Sequence, residues 1–541
     1  MIIRSIEYNN RNIELCKNDY NKEQNVFTLL VGRNGCGKSA LLRKLCLINL
    51  SSVLYENDDI HPLTSKLTFF GNGSDAALNP TGSMAFEKDG IISTITIEWP
   101  ELDIRSIILP NHIPPEDQKK IISQLEYQYN NAGHTISYTE NQFKKNKLDT
   151  HPKLIAVSSS PFDKFPMIDE HIASFQTNDI QNYYIYRGTK TNSRNIEKNY
   201  LTSKFDQLGS SVINFFLKHK DRKNEILPLF TYLGLTSEFK LTLKLSNHFS
   251  FEDILKKTGK GPDEVINNAR FFKGKMRRYD SELSSETKDR IIHSTRAVYN
   301  HLKVTQTENS QGHLFYETFE LGLDINSHTE TPLLEGLSTL AEFDLIDLKN
   351  IEFKKKKSES SFLLTDASSG ELCILFNILS IAGAISDDSV ILIDEPELSL
   401  HPEWQTDFLP LVDQVFSNYI NCHFIIATHS PQIVSSMSAS NSYVVNLEDN
   451  PTKIIEGAQT NSQSSDYQLA YIFRAPGHKN EYLITQIVET LAKIRDGKKL
   501  DDAFLHEINS LIAFNCLVPE NDPVKKLLST LSKALRIIKN D

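Results

Sequence analysis

A chain of 541 residues is too long for one compact core, and at about 150 residues per domain it reads as three or four structural units. With 39% hydrophobic and 23% charged residues it has the composition of a folding globular protein, and its net charge of −11 excludes a non-specific coat for nucleic acid, leaving only local phosphate contacts. The six cysteines, Cys16, Cys36, Cys46, Cys373, Cys422 and Cys516, form no CxxC pair, so neither a zinc knuckle nor a disulfide framework is expected and a reducing cytoplasm fits.

The opening MIIRSIEYNN offers no signal-peptide core, and no apolar run approaches the roughly 20 residues that span a bilayer. The expectation is a cytoplasmic protein with no membrane partner, peripheral at most. Residues 1–31 read as short strands ending in NVFTLLVG, and SALLRKLCLINL then takes helical spacing. IISTITIEWP and PKLIAVSSS read as further strands, with a helix at EDQKKIISQLEYQYNNAG between them. From Leu201 to His301 the pattern turns helical (SSVINFFLKHK, FEDILKKTG, SSETKDRIIHSTRAVYNHLK), as an inserted lobe in a split core domain. Apolar strands return at NIEFKKKK, SSFLLTD, SVILIDEP, CHFIIATHS and SYVVNLED, and the chain after Gln459 is helical again. The expected units are 1–200 (first half of the core), 201–330 (mainly helical insertion), 331–459 (second half) and 460–541 (helical, partner-binding). No heptad pattern persists, so a long coiled-coil arm is not expected.

Chemistry concentrates in four places. GRNGCGKS, Gly32 to Ser39, matches GxxxxGK[ST] between a strand and a helix. There the backbone N–H groups of Gly32, Asn34, Gly35 and Gly37 would cradle phosphates, Lys38 would reach the β- and γ-phosphates of ATP, and Ser39 would ligate Mg²⁺. SVILIDEPELSLHPEW carries an apolar strand into Asp394, suited to Mg²⁺, and Glu395, suited to polarising the attacking water. HFIIATHS ends another strand at His429, fitted to the γ-phosphate. LTDASSGELCIL puts Ser368, Ser369, Gly370 and Glu371 at the start of an apolar helix, whose free N–H groups attract an anion. Since one phosphate loop already serves one nucleotide, this second site is read as capping the γ-phosphate of ATP bound to another protomer. Ser368 with Glu371 is also a capping box.

The order GRNGCGKS, ASSGE, ILIDEPELSLHP, ATHS resembles the ATP-binding-cassette ATPases, specifically their SMC-like, RecF-like and OLD-like heads. The family's LSGGQ aligns with Ala367 to Glu371, with serine for the first glycine and glutamate for the glutamine, and its dimer-contacting loop aligns with Leu398-Ser399-Leu400-His401. The resemblance implies an α/β fold: an ABC-type P-loop ATPase head with a mixed sheet, flanking helices and an antiparallel β subdomain, plus a helical insertion and a helical C-terminal tail. It also implies a homodimer closed over composite ATP sites. AVSSSPFDKFP, YYIYRGTKTNSRN and FRAPGHKNEYL further resemble the PtuA ATPases of Septu and retron anti-phage systems. That implies an HNH nuclease partner, PtuB-like, and in retrons a reverse transcriptase and its branched DNA–RNA product (msDNA). The family's Q-loop glutamine has no evident counterpart: Gln124, Gln128 and Gln142 all precede the AVSSS strand.

Three basic runs, Lys218–Lys223, Phe271–Asp280 and Lys354–Lys357, could contact nucleic acid. Lys273, Lys275, Arg277 and Arg278 of the insertion are the leading set, because aromatic residues flank them. Competing readings are a RecF/SMC-like repair ATPase that binds DNA directly, an OLD-like ATPase-nuclease and a transporter subunit. The acidic charge disfavours the first. The second needs a DxD pair for two metals, and the tail after Tyr443 has none. The large insertion and divergent signature disfavour the third.

Overall fold

The computed structural model describes residues 1–56, 82–98, 135–140, 151–160, 163–166, 183–188, 200–218, 222–246, 250–255, 285–302, 304–308, 314–327, 331–343, 345–358 and 360–540. Strands β1 (Ile2–Tyr8) and β2 (Arg11–Glu14) are joined through Asn9 and Asn10 at φ 51° and 58°, the left-handed backbone that asparagine tolerates in a tight hairpin. The fully buried β3 (Val26–Val31) runs into the glycine loop, and α1 (Lys38–Glu56) leaves it. Next come β4 (Gly82–Lys88), β5 (Ile91–Glu98), β6 (Thr135–Glu140), β7 (Lys153–Ser158) and β8 (Tyr184–Arg187). An antiparallel sheet takes five of these in the order β2-β1-β4-β5-β6. The helix expected at residues 116–133 lies outside the described residues.

The stretch expected to be mainly helical holds strands as well. Helix α2 (Tyr200–Lys218) is followed by β9 (Leu235–Leu245), α3 (Ser285–His301), β10 (Val304–Glu308) and β11 (Leu314–Asp324). After α4 (Thr331–Glu342) come β12 (Ile346–Lys355) and β13 (Ser361–Leu363), completing a second antiparallel sheet in the order β10-β11-β9-β12-β13. Burial of Phe239, Leu241, Leu243 and Leu245 at every second position makes β9 a strand, and the Phe239 ring lies 5.9 Å from Phe216 of α2 and 5.7 Å from Phe353 of β12. Since β9 pairs with β12, this sheet crosses the expected boundary at residue 330.

The chain then returns to the core through α5 (Ser369–Ala382), β14 (Ser389–Asp394), α6 (Pro402–Phe416), β15 (His423–Ala427), β16 (Ser442–Asn446) and β17 (Ile454–Glu456). Seven strands line up as β17-β16-β3-β15-β14-β7-β8, parallel throughout except β17. Alternate side chains enter two cores: Leu29, Val31, Ile391, Ile393 and Phe424 one, Leu30, Val390, Leu392, Ile425 and Val445 the other. The first core includes Ile374 and Phe376 of α5, the second Leu41, Leu42 and Leu45 of α1. Covered on both faces, the strands are apolar runs, and each fully buried Leu or Ile stabilises the fold by about 1.5–3 kcal/mol.

Among the polar residues fully buried in this layer is a histidine. His423, first residue of β15, accepts the Ile3 backbone N–H at Nδ1 across 3.1 Å, and its Nε2 lies 2.8 Å from the Thr28 hydroxyl. Thr28 donates its own proton to the Leu15 carbonyl at 2.7 Å, so the imidazole is neutral with its proton on Nε2. Burial depresses its pKa to about 3.

Beyond the sheet, α7 (Glu481–Arg495), α8 (Asp502–Ala513) and α9 (Pro523–Asn540) enclose a core of their own around Leu483, Ile487, Phe504, Ile508 and Leu528. Asn480 and Asp501 cap the first two by accepting backbone N–H groups at 2.9 and 2.8 Å. Among the described residues no helix is long and apolar enough to cross a membrane.

Candidate functional site

The parallel strands bring their C-terminal ends to one sheet edge, with Asp394 in register with Ala427, and Ala427 with Leu30. At that edge the loop after β3 turns through Gly32, Gly35 and Gly37 at φ 141°, 84° and 103°. A Cβ at Gly37 would lie 2.5 Å from the Tyr8 hydroxyl oxygen, so glycine is required by space as well as by backbone angle. Asn34 and Gly35 form the exposed tip, while Lys38 is buried at the base. The Lys38 ammonium donates to the Gly32 carbonyl at 3.1 Å and to His429 Nε2 at 2.6 Å. Burial lowers its pKa, opposed by the nearby Cys36, Glu395, Glu397 and Asp394.

Ser39 donates its hydroxyl to Asp394 Oδ1 at 2.9 Å, joining the loop to β14. The buried Asp394 carboxyl is pushed up to about 7, chiefly by loss of water; the Ser39 hydrogen bond opposes this, and the charges of Glu395, Asp163 and Glu397 add to it. A hydroxyl and a carboxylate side by side are hard oxygen donors of the kind Mg²⁺ takes, in small number alongside phosphate and water oxygens. Among the described residues no cluster of three or more His, Cys, Asp or Glu could hold a metal alone.

Glu395 follows at φ 51°, a left-handed backbone uncommon for a residue with a side chain, held by a hydrogen bond from its own N–H to Ala427 O at 2.9 Å. Its carboxylate stands 3.9 Å from His429 Nε2. The His429 pKa is lowered to about 4 by burial and then by the adjacent Lys38 charge, so the ring is neutral and can accept a hydrogen bond.

Lys38, Ser39, Asp394, Glu395 and His429 are thus brought together, whereas the signature residues stand apart. Ser368 caps α5: its Oγ accepts the Glu371 N–H at 3.2 Å, and Glu371 accepts the Ser368 N–H at 2.8 Å, a complete capping box. Ser368 and Ser369 are exposed; buried Gly370 packs under Trp404, where a Cβ would come within 2.9 Å. Among the described residues no hydrogen bond or ion pair joins Ser368, Ser369, Gly370 or Glu371 to residues 32–39; Glu371 pairs with Lys355 at 3.7 Å.

Two features of the site go beyond the sequence reading. Arg33 donates its backbone N–H to Glu448 at 2.8 Å and its guanidinium to the Arg474 carbonyl at 3.2 Å, tying the phosphate loop to the C-terminal region. Glu397 receives the backbone N–H of His429. After β7, where a Q-loop would begin, Ser159 instead meets Asn377 of α5 at 3.2 Å. Of the basic runs, Lys223 is buried, donating to Ser327 O, and Arg222, Lys354 and Lys355 pair with acids. Lys273, Lys275, Arg277 and Arg278 lie outside the described residues.

A glycine loop opening a helix beside an acidic strand end is the arrangement of a P-loop ATPase. The chain belongs to the AAA ATPase domain family, whose pattern matches residues 1–434, and it is an ATPase. It is 31% identical over 120 residues to a retron Ec83 probable ATPase of Escherichia coli, covering 21% of each chain. It is 21% identical over 310 residues to a retron Vc95 probable ATPase of Vibrio cholerae serotype O1 biovar El Tor, covering 51% of this chain and 59% of that one. The chain therefore spans less than two thirds of both relatives. A crystal structure of an Smc head bound to the C-winged helix domain of ScpA overlaps 84% of this chain and 97% of its own, at 12% identity and a TM-score of 0.28.

Proposed function

We propose that this ATPase is the nucleotide-driven subunit of an anti-phage defence complex of the retron or Septu kind, closing as a homodimer over two ATP molecules and controlling a PtuB-like HNH nuclease in the cytoplasm. What supports the dimer is that the loop at Gly32–Ser39 and the exposed Ser368 and Ser369 at the start of α5, both suited to an anion, are not joined by any hydrogen bond or ion pair among the described residues of one chain. The likeness to two retron ATPases supports the defence setting and admits a reverse transcriptase with its msDNA as further partners.

In this reading the loop N–H groups and Lys38 hold the β- and γ-phosphates, Lys38 exchanging its contacts with Gly32 and His429 for phosphate oxygens. Ser39 and Asp394 would hold Mg²⁺, which would supply positive charge against the phosphate oxygens there. Glu395 takes a proton from the attacking water, and neutral His429 orients that water against the γ-phosphate. Ser368, Ser369 and Gly370 of the partner protomer close the site, and the insertion moves with them through Lys355 and β13. Helices α7 to α9 would carry the nuclease.

Co-purification of the tagged chain with its neighbouring gene products, followed by the mass of the assembly with and without ATP, tests the proposal. Recovery of a small HNH protein on an ATP-dependent dimer supports it. A lone dimer that binds DNA would replace it with the repair-type reading.

A further inference from the structure

The acidic strand end has a third carboxylate that the roles above leave unused. Glu397 lies one residue past Pro396, in a turn closed by hydrogen bonds from Leu398 N to Glu395 O and from Leu400 N to Glu397 O, at 3.2 and 3.0 Å. Its Oε1 accepts the backbone N–H of His429 at 2.5 Å. Its Oε2 is buried with no hydrogen-bond partner among the described residues. An acid kept in such surroundings is costly unless its bond to the His429 backbone is needed.

The ladder of β15 shows what that bond does. Thr428 makes the last backbone hydrogen bond to β3, its N–H to Leu30 O at 3.1 Å, and one residue later the chain has left the sheet. The His429 N–H would be an orphan there without Glu397. The direction of the imidazole follows from the backbone at that residue, and it is this backbone that puts Nε2 at 2.6 Å from Lys38 and 3.9 Å from Glu395.

We propose that Glu397 is a positioning residue for ATP hydrolysis, acting through the His429 backbone to hold the imidazole against Lys38 and Glu395. This rests on the catalytic reading of His429 and specifies how that residue is aimed. What Glu397 supplies is an acceptor at one fixed point, so an uncharged side chain of the same length serves as well.

The test is steady-state hydrolysis by the full-length protein, with nucleotide binding and thermal melting as folding controls. Glu397→Ala should lower kcat by up to about a hundredfold, the range for a misplaced reacting group, and leave KM for ATP within about twofold. Glu397→Gln, which keeps the acceptor oxygen, should stay near the wild-type rate. The double variant Glu397→Ala/His429→Ala should be no slower than His429→Ala alone. Should Glu397→Ala fail to fold, Glu397→Asp, which withdraws the carboxylate by one carbon, takes its place. A Glu397→Gln enzyme as slow as the alanine variant, or losses that multiply in the double variant, would overturn the positioning role and leave that of His429 standing. A His429→Ala enzyme with normal kcat would overturn both.

Discussion

Lys38 Nζ lies 2.6 Å from His429 Nε2, a contact that joins the first residue of α1 to the loop two residues past β15. The two residues are separated by 391 positions in sequence, yet the Lys38 charge adds to burial in keeping the ring unprotonated. A lysine so placed needs a new partner when phosphates arrive. Lys38→Ala should lose ATP binding and reduce hydrolysis by a hundredfold or more, roughly the loss for one preorganised donor. Isothermal titration with ATP and a phosphate-release assay read both.

Glu395→Gln removes the proposed base while keeping its size and its hydrogen bond to Ala427 O, which comes from the backbone. Hydrolysis should fall by about 10²–10⁴-fold while ATP still binds, so that an ATP-bound dimer accumulates. Size-exclusion chromatography with light scattering would show it, and normal turnover in this variant would remove the role given to Glu395.

Ser368→Arg and Ser368→Ala separate the helix cap from the proposed contact with a partner's nucleotide. Alanine removes the cap and should cost about 1 kcal/mol in stability, seen in denaturant unfolding, with dimer closure weakened only modestly. Arginine at this exposed position should block closure while each protomer keeps its affinity for ATP. An ATP-dependent dimer of Ser368→Arg would sink the assignment of this helix start to a partner's nucleotide.

Acid should destabilise the fold through His423. In the unfolded chain a histidine takes up a proton near 6.5, whereas in the folded chain burial holds the value near 3. Between those limits the unfolded state binds the extra proton, so stability falls as pH drops, by as much as about 1.4 kcal/mol per pH unit from this group. Above 6.5 neither state is charged and the contribution is flat. His423→Asn, which can still accept from Ile3 N, should show a shallower acid slope in urea unfolding measured from pH 7.5 to 4.5.

Much of the backbone of the candidate site was legible because each of its parts is local. VFTLLV followed by GRNGCGKS, and SVILID followed by Glu395, declare strand, turn and helix within a dozen residues. The same locality explains what was missed. Glu397 has no signal of its own, since its partner is a backbone N–H 32 residues later. Strand β9 did carry one, the alternation of Phe239, Leu241, Leu243 and Leu245, but it sits between helices whose stronger period masked it. Charge runs misled for a related reason: Lys223 reads as a solvated cation until Phe216 packs beneath it.

The order of the seven-stranded sheet has a consequence for how the protein comes into being. Strand β3 has β15 and β16 as its two neighbours, both made of residues beyond 420. During synthesis at about 5–20 residues per second the phosphate loop therefore spends some tens of seconds without the strands that seat it. A chain halted before Ser442 lacks the strand β16 that flanks β3, so an ATPase of this build gains a fully seated phosphate loop only late in its own synthesis.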